Sequence, residues 1–497
     1  MKSFRCRSAL VLLLSVFPML FLIGCEKAED NGEFHDNPLV PLDTITVLYT
    51  NDEHGWMVRE GSTGGAAEMM NLWTSQEGMT TSDGFLILSG GDMWTGPAIS
   101  TWFSGEPMVE VMNAMGYDAA ALGNHEFDFG PDTLALRADQ MNFPILAANV
   151  TETSSGEFPD YLQPYVMLEE GLRMIAVVGL ANRYTVELNF PVNVAGLTVG
   201  NYESALREYV PRAFEEGAEA VVVIAHISGY ELRALAPVAA ELGVSMVGGG
   251  HTNEFIAEEN SGTNLVMANY AFNLYGRARL IFDEDGTVTT TTPELIENSE
   301  TGSDATVAGI VSSWQVRLDE VLGTVIGYAS AEISRSSYGL TNLALDSWLE
   351  MNLDGDLAIS NLGGFRAGIP AGNITLATIV GILPFDNEII RMPITGSELT
   401  AFLDEQGTLL RYGGMTAVGG YQFLDGTPIA TDSTYDMLIT DYYYFHSADY
   451  TIDLAQIEPN PYYTGWNFRE PMIAKIQQLN TSADDPLDNY LDTAPRQ

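Results

Sequence analysis

Four of the six histidines in this chain lie in short islands that also carry glycine, TNDEHG at 50–55, GNHEFD at 123–128, AHISG at 225–229 and GGGHTN at 248–253, and all of these but AHISG add Asp, Glu or Asn. A fifth island, GGD at 90–92, lacks only the imidazole. Packing alone gives a chain no reason to gather its few imidazoles beside Asp and Asn at loop tips. Imidazole and carboxylate donors together suit divalent transition metals. The islands follow short apolar runs that alternate with helical stretches, at Thr44–Thr50, Phe85–Ser89, Asp118–Leu122, Pro144–Asn149, Met174–Leu180, Ala220–His226 and Val244–Val247. Side chains presented at the carboxyl ends of strands are what an α/β layered sheet offers, so the islands are predicted to share one rim.

Asp52 and His54 are spaced two apart just beyond a strand, and extended backbone would aim both side chains at one ion. Asp92 follows two glycines that let the chain bend, and its two oxygens could bridge two ions. Asn124 offers a neutral carbonyl oxygen, and His226 and His251 offer ring nitrogens.

The ends of the chain set its surroundings. Residues 1–24 carry Lys2, Arg5 and Arg7, an apolar run from Ala9 to Ile23 and then Gly24, the pattern of a secretory signal. LIGC ending at Cys25 resembles a bacterial lipoprotein signal, which implies cleavage before Cys25, lipid on its sulfur and an extracytoplasmic, lipid-anchored protein, periplasmic or at the cell surface. Cys6 would leave with the signal, so the mature monomer has no disulfide. Residues 25–42 read as a polar, acidic tether in which His35 has no role. With 67 acidic residues against 21 basic ones and a net charge of -46, the surface repels nucleic acid polymers and excludes a binder that tracks a phosphate backbone. A small anion in a metal-lined pocket remains compatible.

The 497 residues exceed one ordinary core. Strand-like runs continue at Asn264–Ala268 and Arg277–Phe282, with a turn at Asp283–Gly286. The Thr- and Glu-rich stretch that follows has no apolar period and leads into a periodic one ending at Leu322. The division expected is a catalytic domain at 43–300, a linker helix at 301–322, a second domain at 323–476 and a loose tail at 477–497. Gly323 and the helix before it would absorb a hinge motion between the two domains.

The order DxH, GGD, GNHE, H, GGH is similar to that of the calcineurin-like metallophosphoesterases, and TNDEHG followed by GNHEFD resembles the 5'-nucleotidase and UDP-sugar hydrolase branch. The resemblance covers most of the mature chain. It implies a four-layer α/β/β/α catalytic domain, a smaller α+β C-terminal domain, and phosphomonoester hydrolysis by water activated between two divalent ions, Zn, Mn, Co or Mg. By the same resemblance Asp52, His54, Asp92 and Asn253 hold one ion, and Asp92, Asn124, His226 and His251 hold the other. Asn253 stands where many members carry His or Gln. His125 with Asp128 corresponds to the catalytic pair: the carboxylate three residues on can fix the imidazole's tautomer and raise its basicity. Glu126 reads as a structural ion-pair residue.

NLGGFR at 361–366 and LPFDN at 383–387 resemble the paired motifs of the family's C-terminal domain. The resemblance makes Asn361 and Arg366 substrate contacts, Arg366 as a fork for phosphate, with Phe385 stacking on a nucleobase. DYYYFHSAD at 441–449 stands where the second stacking ring belongs, which makes Tyr443 the other face of the base site and Asp449 a ribose contact. There Ser447 and Ala448 replace two glycines. Arg335 is a candidate second phosphate arginine, and His446 a solvated turn residue. The substrate implied is a nucleoside 5'-monophosphate, with UDP-sugars or other nucleotides open. Alternatives are a 2',3'-cyclic-nucleotide phosphodiesterase with 3'-nucleotidase activity, a sulfur-ester hydrolase, and a non-catalytic lipoprotein that binds metal or nucleotide.

Overall fold

The computed structural model describes residues 43–497 apart from 60–63, 80–83, 300–301, 352 and 448–451. The signal, the tether with Cys25, and Asp449 lie outside the described residues. Alternation along the strands builds the centre of the first half. In the strand Thr44–Thr50, Ile45, Val47 and Tyr49 face one side and Leu48 the other; in Ala220–Ala225, Val222 and Ile224 oppose Val221 and Val223. The first set from each strand shares one buried cluster, so the two sheets that own them pack face to face. One sheet runs Val288–Thr290, Leu274–Phe282, Thr44–Thr50, Phe85–Ser89, Ala119–Ala121, Ile145–Leu146, Leu162–Gln163. The other runs Phe255–Asn260, Thr263–Ala268, Met246–Gly248, Ala220–Ala225, Arg173–Leu180, Tyr165–Glu170.

Outer faces are covered by helices. Ala66–Gln76 and Glu106–Met115 cover the first sheet, and Tyr202–Glu215 and Gly229–Glu241 the second. The architecture is the expected α/β/β/α stack. The strands Thr44–Thr50, Phe85–Ser89 and Ala119–Ala121 pair in parallel, so their carboxyl ends, and the islands that follow them, share one edge.

Two parts of the expected organisation differ. The stretch after Phe282 adds an edge strand, Glu294–Glu297, to the first sheet through Leu274–Arg277. An edge strand is held by backbone bonds on one side, which an apolar period does not report. The helix Ala305–Leu322 is also more than a linker: Val307, Trp314, Leu318 and Leu322 are buried in the first domain's helical layer, with Trp314 Nε1 donating to Glu110 Oε2 at 2.8 Å.

The second half is a five-stranded sheet in the order Leu410–Gly413, Leu357–Asn361, Thr434–Thr440, Glu388–Thr395, Tyr462–Asn467, with helices on both faces. Its helix Leu376–Ile382 inserts Val380 into the core of the first domain, and all described residues fall in one compact unit. The expectation of a loose tail at 477–497 is corrected. Leu487 and Arg496 are buried, Asn342 Nδ2 donates to the carbonyls of Asp492 and Ala494 at 2.9 and 3.1 Å, and Arg496 pairs with Asp346 at 2.6 Å and Asp492 at 2.7 Å. The tail's partners lie about 150 residues away in sequence, where composition cannot reveal them.

Candidate metal centre and substrate cleft

Five loops meet at the rim: Asp52 and His54, Asp92, and Asn124 with His125 come from the first sheet, His226 and His251 from the second. Two groups have ligand atoms within 4.8 Å of one another, His54 with Asp92 and His125, and Asp92 with His226 and His251. Asp92 belongs to both, as a bridging carboxylate must. The ligand loops are turned rather than extended. Asp52, His54, Asp92, His251 and Asn253 have φ of 52°, 46°, 60°, 72° and 52°, a region most side chains avoid and one that collects at functional sites. The expectation that extended backbone aligns Asp52 with His54 is thereby corrected: a left-handed turn brings His54 Nε2 within 3.8 Å of both Asp52 Oδ1 and Asp92 Oδ2.

Backbone carbonyls fix the imidazoles. His54 Nδ1 lies 2.9 Å from Thr95 O and His226 Nδ1 2.8 Å from Gly90 O. A carbonyl only accepts, so Nδ1 carries the proton and Nε2 is left as a donor atom for a metal. His226 Nε2 is buried, 3.0 Å from Asp92 Oδ2, yet without an aligned hydrogen bond. His251 Nδ1 and Asn124 Oδ1 are 3.1 Å apart. Charge makes the same demand for a cation. Burial, with Asp92 nearby, pushes the Asp52 carboxyl up to about 6 against the opposing pull of His226. Burial alone would also raise Asp92, but His226 and His125 hold it well below the usual range. Burial would lower His226, yet Asp92 lifts it to about 10, whereas burial and His226 together bring His251 down to about 4. Two buried aspartates need positive charge among them, and divalent cations fit the donor set better than one imidazolium.

Among the described residues Glu126 forms no ion pair of the expected kind. Its buried carboxylate accepts from the backbone amides of Asp92 at 3.0 Å, Met93 at 2.7 Å and Gly123 at 2.6 Å, clamping two ligand loops together, and burial pushes its carboxyl up to about 7. A Cβ on Gly123 would collide with Asp92 Oδ1 and Glu126 Oε2, so only glycine fits. Asn51, which sequence reasoning passed over, donates to Asp52 Oδ2 at 2.7 Å and accepts from Ala268 N at 2.6 Å, joining the first ligand loop to the second sheet. Its place beside Asp52 in the first island was the only signal.

His125 Nδ1 lies 2.8 Å from Asp128 Oδ2. Burial works against the imidazolium, but Asp128 and Asp92 outweigh it and raise the pKa of His125. The His125 ring stacks on Phe385 of the second domain, with centroids 5.8 Å apart and planes at 26°. Arg366 Nη2 reaches His54 Nε2 at 3.2 Å and its guanidinium lies 5.9 Å from the Phe385 ring centre. Burial and the nearby charge of Arg335 both lower the pKa of Arg366, which places the two arginines within electrostatic reach of each other. Asn361 closes its strand beside Gly363 and Gly364, and Asn387 of the LPFDN motif is buried with no hydrogen bond to its Oδ1 among the described residues.

Asn253 is solvent-exposed, its carbonyl receiving Asn269 Nδ2 at 2.7 Å. Tyr443 as a base platform is corrected: the ring is 4% exposed in the second domain's core, packs edge-on to Phe402 and donates its hydroxyl to Gln406. The helix Asp441–His446 turns its neighbour outward instead. Tyr442 meets Phe190 of the first domain edge-on at 5.7 Å and stacks on His446 at 4.1 Å, so His446 is more than a solvated turn residue.

Two His/Asp clusters that share Asp92, at the strand ends of an α/β/β/α stack, suit the dinuclear centre of a metal-dependent phosphoric ester hydrolase. The family model for the 5'-nucleotidase C-terminal domain matches residues 321–456. A 5'-nucleotidase of Vibrio vulnificus is 26% identical over 80% of this chain and 84% of its own length. Among solved structures, a 5'-nucleotidase precursor from Thermus thermophilus superposes with a TM-score of 0.76 at 21% identity, covering 91% of this chain and 98% of that one. The sulfate thiohydrolase SoxB of Thermus thermophilus shares the fold, with a TM-score of 0.71 at 17% identity over 92% of this chain and 97% of its own. The chain is thus similar to 5'-nucleotidases along most of its length, and residues 321–456 form a 5'-nucleotidase C-terminal domain.

Proposed function

We propose that this protein hydrolyses nucleoside 5'-monophosphates, releasing phosphate, and that it works outside the cytoplasm, held to a membrane through lipid on Cys25. The observation that carries the substrate class is the convergence of second-domain groups on the His/Asp cluster. Arg366 touches His54 and Phe385 covers His125. A phosphate lying between Arg366 and the cluster would leave an attached base within reach of an aromatic face.

Asp52, His54, Asp92, Asn124, His226 and His251 would hold two divalent ions, with Asn253 as a further ligand; bound there, they supply Lewis acidity and an activated water. Arg366, supported by the charge of Arg335, orients the phosphate and offsets its charge. His125 carries the proton. With Nδ1 engaged by Asp128, Nε2 is its transferable site: it protonates the ribose oxygen as the bond from phosphorus to that oxygen breaks, while the water, whose own proton passes to solvent, forms the new bond to phosphorus from the opposite side. The SoxB-like fold leaves sulfur esters to be tested, but a base platform has no use in such a substrate.

The experiment is a phosphate-release panel with metal-loaded protein on AMP, 3'-AMP, 2',3'-cyclic nucleotides, UDP-glucose and a thiosulfate ester. AMP as the best substrate supports the proposal. Preference for the cyclic or 3' substrates selects the phosphodiesterase alternative, and no turnover of any selects the binding-protein alternative. For the anchor, Cys25→Ser should move the protein from the membrane to the soluble fraction and abolish incorporation of labelled fatty acid.

A further inference from the structure

Glu53 lies between two ligands and is wholly buried, yet it faces neither cluster. One carboxylate oxygen receives the Thr50 hydroxyl and the other receives Ser89 Oγ at 2.9 Å. Thr50 Oγ1 is 2.6 Å from the Tyr117 hydroxyl, and Ser89 Oγ in turn accepts from Gly91 N at 3.2 Å. The chain of bonds therefore runs from the Asp52/His54 loop, through Glu53 and Ser89, into the loop that ends at Asp92. Backbone bonds join the same loops from the outside, Asp52 N to Gly91 O and His54 N to Asp92 O, both at 2.9 Å. Asp52, His54 and Asp92 all hold strained backbone conformations, which persist only where surrounding contacts over-determine them. An apolar residue would fill the site without needing three hydroxyls arranged around it, so the bonds themselves are what the acid contributes.

We propose that Glu53 is a positioning residue for the metal centre: its buried carboxylate ties the Asp52/His54 loop to the Asp92 loop through Ser89 and so sets the spacing of the ligands. This rests on the two-metal interpretation of the site and is independent of the substrate.

The test uses the whole protein loaded with Mn²⁺ alone, reading stoichiometry, affinity and the magnetic coupling between the two ions by electron paramagnetic resonance. Glu53→Ala should weaken Mn²⁺ binding about 10- to 100-fold, the usual effect of removing a group that orients ligands, and change the coupling. Glu53→Gln keeps a carbonyl acceptor and should restore most of both. Ser89→Ala should move both in the same direction, and Glu53→Ala with Ser89→Ala should cost less than the two effects added, because they break one link. Parent affinity and parent coupling in Glu53→Ala would overturn the proposal. Should Glu53→Ala fail to fold, Ser89→Ala decides: lowered affinity supports the proposal and parent affinity overturns it. A parent protein that bound no pair of ions would instead defeat the two-metal interpretation, and this proposal with it.

Discussion

Arg366 of the second domain donates to His54 Nε2 of the first, 312 positions earlier, at 3.2 Å. The His54 lone pair that accepts this bond is the one a metal ion would use, since Nδ1 is committed to Thr95 O. Metal and arginine therefore compete for one atom, and loading the site frees the guanidinium for phosphate. Arg366→Ala should leave Mn²⁺ affinity equal to the parent's or tighter, while lowering kcat/KM for AMP about 100-fold. Calorimetric titration with Mn²⁺ and steady-state kinetics check the two halves; weaker metal binding would contradict the competition.

His125 and Asp128 yield a pH prediction. The carboxylate stabilises the imidazolium, so His125 holds its proton to a higher pH than burial alone would allow. A general acid is active while protonated and is lost as pH rises through its pKa. Asp128→Asn removes the stabilising charge, and the basic limb of the kcat/KM profile should move to lower pH, with the plateau down about tenfold or more. A limb that stays in place would detach Asp128 from His125.

Tyr443 and Phe385 should separate cleanly. Phe385→Ala is expected to raise KM for AMP about tenfold, the scale of one lost base-stacking contact. Tyr443→Phe removes a buried hydroxyl that bonds Gln406, and should cost about 1–2 kcal/mol of stability with KM unchanged. Urea denaturation and the kinetics of both variants test this, and a raised KM in Tyr443→Phe would restore Tyr443 to the cleft.

Arg496 is 2% exposed and paired with Asp346 and Asp492, which are partly exposed. Breaking the pairing strands a buried charge or its partners. Discounted for solvent at the carboxylates, Arg496→Ala should cost on the order of 2–3 kcal/mol. A denaturation midpoint within error of the parent's would show the final segment to be dispensable.

Asp441, which is not a metal-ligand candidate, yields a pH dependence of stability. Burial, with Glu388 and Asp386 nearby, pushes its carboxyl from 3.8 up to about 6, although the amides of Tyr442 and Glu388 pull the other way. The folded state then holds this proton more tightly than the unfolded chain does. Its contribution favours folding most below pH 3.8 and is lost as pH rises from there to about 6. Comparing the pH dependence of Tm for the parent and Asp441→Asn should show a difference that changes across this window and is flat above it.

By itself the sequence determined the central strands of the first domain, the order of the islands and the metal-ligand candidates, because these are local. A strand writes its period into seven residues, and the loops TNDEHG and GNHEFD each carry Gly, Asp and His within six. Tertiary structure alone decided what depends on partners far along the chain. DYYYFH does not show which tyrosine faces inward; packing against Phe402 and Gln406 buries Tyr443, and Phe190 of the other domain meets Tyr442. GNHE does not show that Glu126 clamps amides more than thirty residues earlier, nor TNDEH that Glu53 binds the Ser89 hydroxyl. A carboxylate reads alike in a sequence whether it meets a cation, an amide or a hydroxyl, and only the folded chain supplies the partner.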